Sequence, residues 1–253
     1  MEIKLSAVII TLDEEKNIER CLQSLHGIVD EIVVIDSFSI DSTEEICKSL
    51  GAKFIQRQFE GYATQKNFAL QSAKFDFVLS LDADEALSDE LRKSVLEAKL
   101  NWKADGYFFN RLTNYCGQWI RHCGWYPDRK LRLLDRRKGS WGGGEVHEKI
   151  MMRKDSSTQF LKGDLLHYSY YTTSEHLQQQ KHFTELAVRE DSKIGRRSTL
   201  FHVILNPLYT FIRKYFFQLG FLDGYYGLVI CLISARANYW KYSKLRQSAN
   251  LFL

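Results

Sequence analysis

Proline is almost missing from this chain: Pro127 and Pro207 are the only two among 253 residues. No proline-rich linker therefore marks a domain boundary. The five cysteines, Cys21, Cys47, Cys116, Cys123 and Cys231, contain no Cys-x-x-Cys pair, which argues against a zinc site. With no signal-peptide pattern over Met1 to Lys4, they point to a reducing, cytosolic setting. There is no Gly-rich phosphate loop and no Gly-x-Gly-x-x-Gly, which weakens kinase and dehydrogenase readings. The longest uninterrupted apolar run, Leu228 to Ile233, falls far short of the ~20 residues that span a bilayer. Internal repeats and low-complexity tracts are absent too.

What is present is a globular composition, 45% hydrophobic and 26% charged, and enough chain for one sizeable domain with an appendage. The net charge of +4 is unevenly spread. From Arg196 to Leu253 eight Lys/Arg face one acid, Asp223, a net of +7, which leaves −3 on residues 1–195. A basic, aromatic-rich tail on an acidic body suggests an anionic surface as partner. No nucleic-acid partner is expected, and the oligomeric state is not specified.

Apolar runs alternate with helical stripes through the first hundred residues. Strands are expected over 6–12, 31–35, 53–55 and 77–81, the second closing on Asp36. Ile18, Cys21, Leu22 and Leu25 make one helical stripe ending near Gly27. Asp41-Ser42-Thr43 caps a helix that stops at Gly51, and residues 62–73 and the segment after Ser88 read as further helices. Alternation of this length predicts an α/β fold with a doubly wound, mainly parallel sheet. Strands over 106–112 and 130–134 flank an aromatic and basic loop. The composition shift places a boundary at 195/196, giving a domain over 1–195 and a helical extension over 196–253.

Four features then fall at one edge of the predicted sheet. Thr11-Leu12-Asp13-Glu14-Glu15 ends the first strand, Asp36 ends the second, Gln65-Lys66-Asn67 precedes the fourth, and Asp82-Ala83-Asp84 ends it. The carboxyl edge is where open α/β sheets bind ligands. Two carboxylates at this spacing can hold Mg²⁺ or Mn²⁺, a strand-end Asp36 can accept hydrogen bonds from a base or ribose, and Lys66 can reach a phosphate. Each feature alone reads more readily as a helix cap or a solvated charge. Together, in this order, they are much harder to obtain by accident.

Val8 to Glu15, Val33-Val34-Ile35-Asp36-Ser37 with Asp41-Ser42-Thr43, and Leu81-Asp82-Ala83-Asp84 resemble a family 2 glycosyltransferase of the GT-A fold over residues 5 to about 150. The resemblance implies that Thr11, Leu12, Glu14 and Asp36 line the nucleotide and that Lys66 lies near the diphosphate or uracil. Asp82 and Ala83 would touch ribose or metal-bound water, and Asp84 would bind the metal directly. A second constellation, Trp141-Gly142-Gly143-Gly144-Glu145-Val146-His147-Glu148, lies where the base of an inverting transfer would sit. Glu145, or failing that Glu148, is the candidate; the Glu-Asp pair common in the family is absent. His167 resembles a third metal ligand, although it and His147 read equally well as hydrogen-bonded structural histidines.

Val146-His147-Glu148 and the tail with Pro207, Phe211, Lys214 and Asp223-Gly224 are similar to lipopolysaccharide-core β-glucosyltransferases acting on inner-core heptose. That implies a metal-dependent, inverting enzyme moving a sugar, glucose from UDP-glucose, onto a glycolipid acceptor. It would sit peripherally on the cytoplasmic face of the bacterial inner membrane. The tail supports this as a helix pair lying in the interface; its aromatics could equally pack on the body or on a second subunit. Residues 121–138 could hold acceptor phosphates or form a solvated face. A nucleotidyltransferase and a non-catalytic membrane-bound scaffold are the other readings, the former wanting a Gly-rich first loop.

Overall fold

The computed structural model describes residues 2–143 and 148–250, with side chains to residue 247. The chain divides into two compact units, residues 1–112 with 128–168 and residues 113–127 with 169–253. The expected division at 195/196 falls inside the second unit.

The first unit begins with β1 (Leu5–Thr11), α1 (Ile18–Leu25), β2 (Glu31–Asp36), α2 (Thr43–Ser49), β3 (Lys53–Gln56), α3 (Tyr62–Ser72) and β4 (Phe77–Asp82). β3, β2, β1 and β4 lie side by side and parallel. β1 is apolar without alternation because both of its faces are covered. Leu5, Ala7 and Ile9 share a core with Ile18, Leu22 and Leu25 of α1, while Val8 packs with Ala69 and Leu70 of α3. Register then aligns the chemistry: Thr11 pairs with Asp36, and Ile10 with Asp82. Continuous hydrophobic runs thus carry three polar strand ends to one edge.

Beyond β4 the sheet turns mixed. β5 (Glu85–Leu87), α4 (Asp89–Leu100), β6 (Gly106–Tyr115), β7 (Gln118–Ile120), β8 (Asp128–Asp135), β9 (Gly139–Gly142), β10 (Lys149–Met152) and β11 (Thr158–Tyr170) follow. β8 runs antiparallel to β4 and to β6, and β5 pairs antiparallel with β11 so that His167 faces Glu85. The expected α/β fold is borne out, with antiparallel strands completing its parallel half.

The second unit holds α5 (Thr173–Lys193), α6 (Leu200–Ile212) and α7 (Gly224–Asn250). A capping box between Thr172 and Glu175 opens α5. A π-helical turn (Arg213–Phe217) and a 3₁₀ turn (Gly220–Asp223) join α6 to α7. The unit's core gathers Tyr115, Ile120, Cys123, Ile230 and Cys231. Buried Asp223 ties the two chain segments together, accepting from the backbone N–H groups of Arg121 and His122 at 3.2 and 2.8 Å.

One glycine in the first unit is irreplaceable on geometry. Gly163 has φ +94°, and a Cβ there would stand 2.3 Å from the backbone nitrogen of Leu91. Gly163→Ala should destabilise the protein by roughly 2–4 kcal/mol, because clash and left-handed strain act together. Gly51→Ala, at φ +76° with nothing within 4 Å, should cost about 1 kcal/mol. Urea unfolding compares them; equal losses would show that strain alone matters.

Candidate active site

The carboxyl edge of the parallel strands carries the predicted residues in two groups. In the first, the Thr11 hydroxyl donates to an Asp36 oxygen at 2.8 Å, and the Ser39 backbone and hydroxyl both donate to the same carboxylate. Asp36 is fully buried. It therefore closes the loop after β2 onto β1, with three donors meeting its two oxygens. The loop after β1 is braced in turn, since the backbone nitrogen of Glu14 donates to Thr43 Oγ1 at 2.9 Å. Burial pushes the Glu14 carboxyl up, opposed by a hydrogen bond from Asn17. Leu12 points to solvent, half exposed.

The second group is a buried ionic network around the Asp82-Ala83-Asp84 turn. Lys66, 3% exposed, places its Nζ 2.8 Å from Asp82 Oδ1 and 3.2 Å from Glu148 Oε1. Arg132 reaches across from β8, with Nη2 2.9 Å from Asp82 Oδ2 and 3.0 Å from Glu85 Oε1. Burial pushes the Asp82 carboxyl up, but Lys66 and Arg132 outweigh it and hold the group well below the usual carboxylate range. Glu85, with no exposed surface, also accepts from the Asp82 backbone N–H at 3.0 Å. That bond sets the shape of the turn.

Trp141 backs both cations. Its ring centre lies 4.4 Å from Lys66 Nζ and 5.0 Å from the Arg132 guanidinium, a geometry in which the ring face attracts cations. The ring is fixed by Nε1 donating to Ser80 Oγ at 3.3 Å. Asn67 fixes the backbone of Trp141 through two reciprocal hydrogen bonds, 2.8 and 2.9 Å. The α3 residues singled out from the sequence thus include one ionic partner and one clamp.

Ala83 is buried, and Asp84 turns away from the network. Its Oδ2 lies 3.1 Å from His167 Nε2. The Tyr168 backbone N–H donates to the Asp84 carbonyl at 2.9 Å, so β11 pins this end of the turn. Burial pushes the Asp84 carboxyl up, and His167 outweighs it to leave the group below its ordinary value. Among the described residues, no group of three or more His, Cys, Asp or Glu side chains could by itself hold a metal ion. Asp84 and His167 are two such donors, partly exposed side by side, and carboxylate oxygen with imidazole nitrogen is a donor set that suits Mn²⁺.

The site therefore brings together Lys66, Asp82, Ala83, Asp84, Glu148 and His167, with Thr11, Glu14 and Asp36 on the neighbouring strand ends. Glu145 and His147 lie outside the described residues. Sequence reasoning misses Arg132, Glu85 and Trp141. Arg132 alone carries a signal: it is a lone charge within the apolar end of a strand, beside Leu131, Leu133 and Leu134, and such a charge needs a buried partner.

With that geometry in view, the comparisons are specific. Residues 6–160 match the family described as glycosyl transferase family 2. An uncharacterized glycosyltransferase of Rickettsia typhi is 29% identical over 96% of this chain and 87% of its own length. The lipopolysaccharide core biosynthesis glycosyltransferase LpsC of Rhizobium meliloti is 28% identical over 96% of this chain and 94% of its own. Glucosyl-3-phosphoglycerate synthase from Mycobacterium tuberculosis, solved with Mn²⁺, UDP and glucosyl-3-phosphoglycerate, is 24% identical over 44% of each chain, with a TM-score of 0.36.

The network makes a prediction for stability. Arg132→Met leaves Glu85 and Asp82 short of a buried partner and should lose about 3–5 kcal/mol. Adding Glu85→Gln should recover a large share of that loss. A double-mutant cycle by denaturant unfolding checks it; additive losses would mean the two side chains do not interact.

Proposed function

This chain belongs to glycosyl transferase family 2, and on that premise we propose that it moves a hexose, glucose from UDP-glucose, onto a glycolipid acceptor of the lipopolysaccharide-core class. The observation that carries the reading is the strand-end turn Asp82-Ala83-Asp84, with Lys66 and His167 gathered on it. The acceptor class draws support from the name of the Rhizobium meliloti relative, which is alike over nearly its whole length. Such an acceptor would place the enzyme peripherally at the cytoplasmic face of the inner membrane. A nucleotidyltransferase would want a Gly-rich turn after β1, where this chain has Asp13-Glu14-Glu15.

In this reading Thr11, Glu14 and Asp36 border the nucleoside. Lys66 shifts from Asp82 and Glu148 toward the diphosphate oxygens, where an ammonium is worth most as negative charge builds on the leaving group. Arg132 keeps Asp82 in place while Lys66 moves. A divalent cation, Mg²⁺ or Mn²⁺, held by Asp84 and His167 would neutralise that diphosphate. The acceptor hydroxyl oxygen attacks the anomeric carbon as the bond to the diphosphate breaks, which inverts the configuration. Its proton passes to a glutamate, Glu145 in our assignment, with Glu148 tied to Lys66 in the absence of donor.

Two substitutions test the assignment. Asp84→Ala should lower transfer at least ~10²-fold while leaving the thermal melt intact; full activity, or activity indifferent to chelator, would remove the metal from the mechanism. Glu145→Gln should lower kcat ~10²–10⁴-fold with donor affinity nearly unchanged. If Glu148→Gln gives that loss instead, the base is Glu148. UDP release from a panel of UDP-sugars, with and without a rough-type lipopolysaccharide acceptor, identifies the pair; release from none of them would contradict the enzymatic reading.

A further inference from the structure

Helix α6 is built inside out. Leu200, Phe201, Ile204, Leu208, Tyr209 and Ile212 recur at helical spacing on one face, and all are exposed. Val203 is the helix's buried residue. An ordinary surface helix turns its apolar stripe to the core and its charges to water. The exposed apolar surface continues past the helix end, where Phe216, Phe217, Leu219, Phe221 and Leu222 follow. Phe217 is 80% exposed and Phe201 69%. Contiguous apolar surface on this scale marks a docking site.

The charge on the same stretch selects the occupant. From residue 196 onward the one acid is Asp223, and it is buried, held by the backbone of Arg121 and His122 and by the His122 ring at 2.9 Å. Arg197 and Arg213, both exposed, stand near the two ends of the α6 face. Among the described residues, no single helix is long and apolar enough to cross a membrane. The pair Leu200–Phe217 and Gly220–Gln247 passes that test jointly, but with a 72° bend between them. A bent pair with aromatics and Leu at the bend and cations around it suits an interface better than a span.

We propose that the outward face of α6 and the two turns after it dock on a bilayer with anionic headgroups, the apolar side chains entering the acyl boundary and Arg197 and Arg213 meeting lipid phosphates. A second copy is the poorer occupant, because a two-fold contact would set this basic surface against itself. Anionic lipid supplies the missing opposite charge. The inference rests on the reading above only in that a lipid-linked acceptor gives the surface its use.

Flotation of the full-length protein with vesicles tests it without any turnover. The protein should float with phosphatidylcholine–phosphatidylglycerol vesicles and less with phosphatidylcholine alone, the difference shrinking at high salt. Phe201→Ser with Phe217→Ser should lower the partition coefficient at least ~10-fold; both sites are exposed, so circular dichroism and the melt should not change. Arg197→Gln with Arg213→Gln should lower binding to anionic vesicles and leave neutral ones unaffected. Failure of the wild type to float, flotation indifferent to both double variants, or a lipid-free dimer that the Phe variant dissolves would each overturn the proposal. A protein that floats as expected but releases no UDP from any donor would count against the transferase reading alone.

Discussion

Asp82 is held from two sides by Lys66 and Arg132, and the rest of the site is arranged around that pairing. Removing an ion from water costs on the order of several kcal/mol, and a buried pair recovers it only when its remaining hydrogen bonds are satisfied. Here the bonds come from separate elements: Lys66 from α3, Arg132 from β8, Glu85 from β5 and the Trp141 ring from β9. A network of this composition adds little net stability over an apolar core. What it supplies is a fixed carboxylate turn and an ammonium with two carboxylates that a diphosphate could replace. Asp84 stands apart from that pairing, its Oδ2 3.1 Å from His167 Nε2.

The parallel half of the fold was legible because its signals are local. Unbroken apolar runs over β1, β2 and β4 require burial on both faces, and parallel register then sets Thr11, Asp36 and Asp82 at one edge. The antiparallel half was less legible. The pairing of β5 with β11 joins residues some eighty positions apart, and no local pattern at either end announces it. That pairing is nevertheless what carries His167 to Asp84. Residues 115–129 read as an aromatic and basic loop, whereas residues 118–120 form β7 against the end of β6, and residues 113–127 belong with the second unit. Asp223, a lone acid in a basic tail, was the available sign of that attachment.

The site was legible as a set of residue types more than as an arrangement. Lys66, Asp82, Asp84, Glu148 and His167 stand together in the structure. Asp36 accepts from Thr11 and Ser39, contacts that its place at a strand end does not announce. Arg132 went unassigned because the charges around it (Arg129, Lys130, Arg136, Arg137) read as one basic stretch. Burial along β8 distinguishes it: Arg132 opens the buried run over residues 132–135, whereas Arg129 lies at the surface.

The central claim is that the carboxyl edge of β4 binds a nucleoside diphosphate with a divalent cation through Lys66, Asp84 and His167. Calorimetric titration of UDP into the full-length protein tests it most directly, with Mn²⁺ and again with excess chelator. The account predicts saturable binding that chelation, or Asp84→Ala, weakens at least ~10-fold, about 1.4 kcal/mol. Equal affinity with and without the cation, or no UDP binding at all, would contradict it.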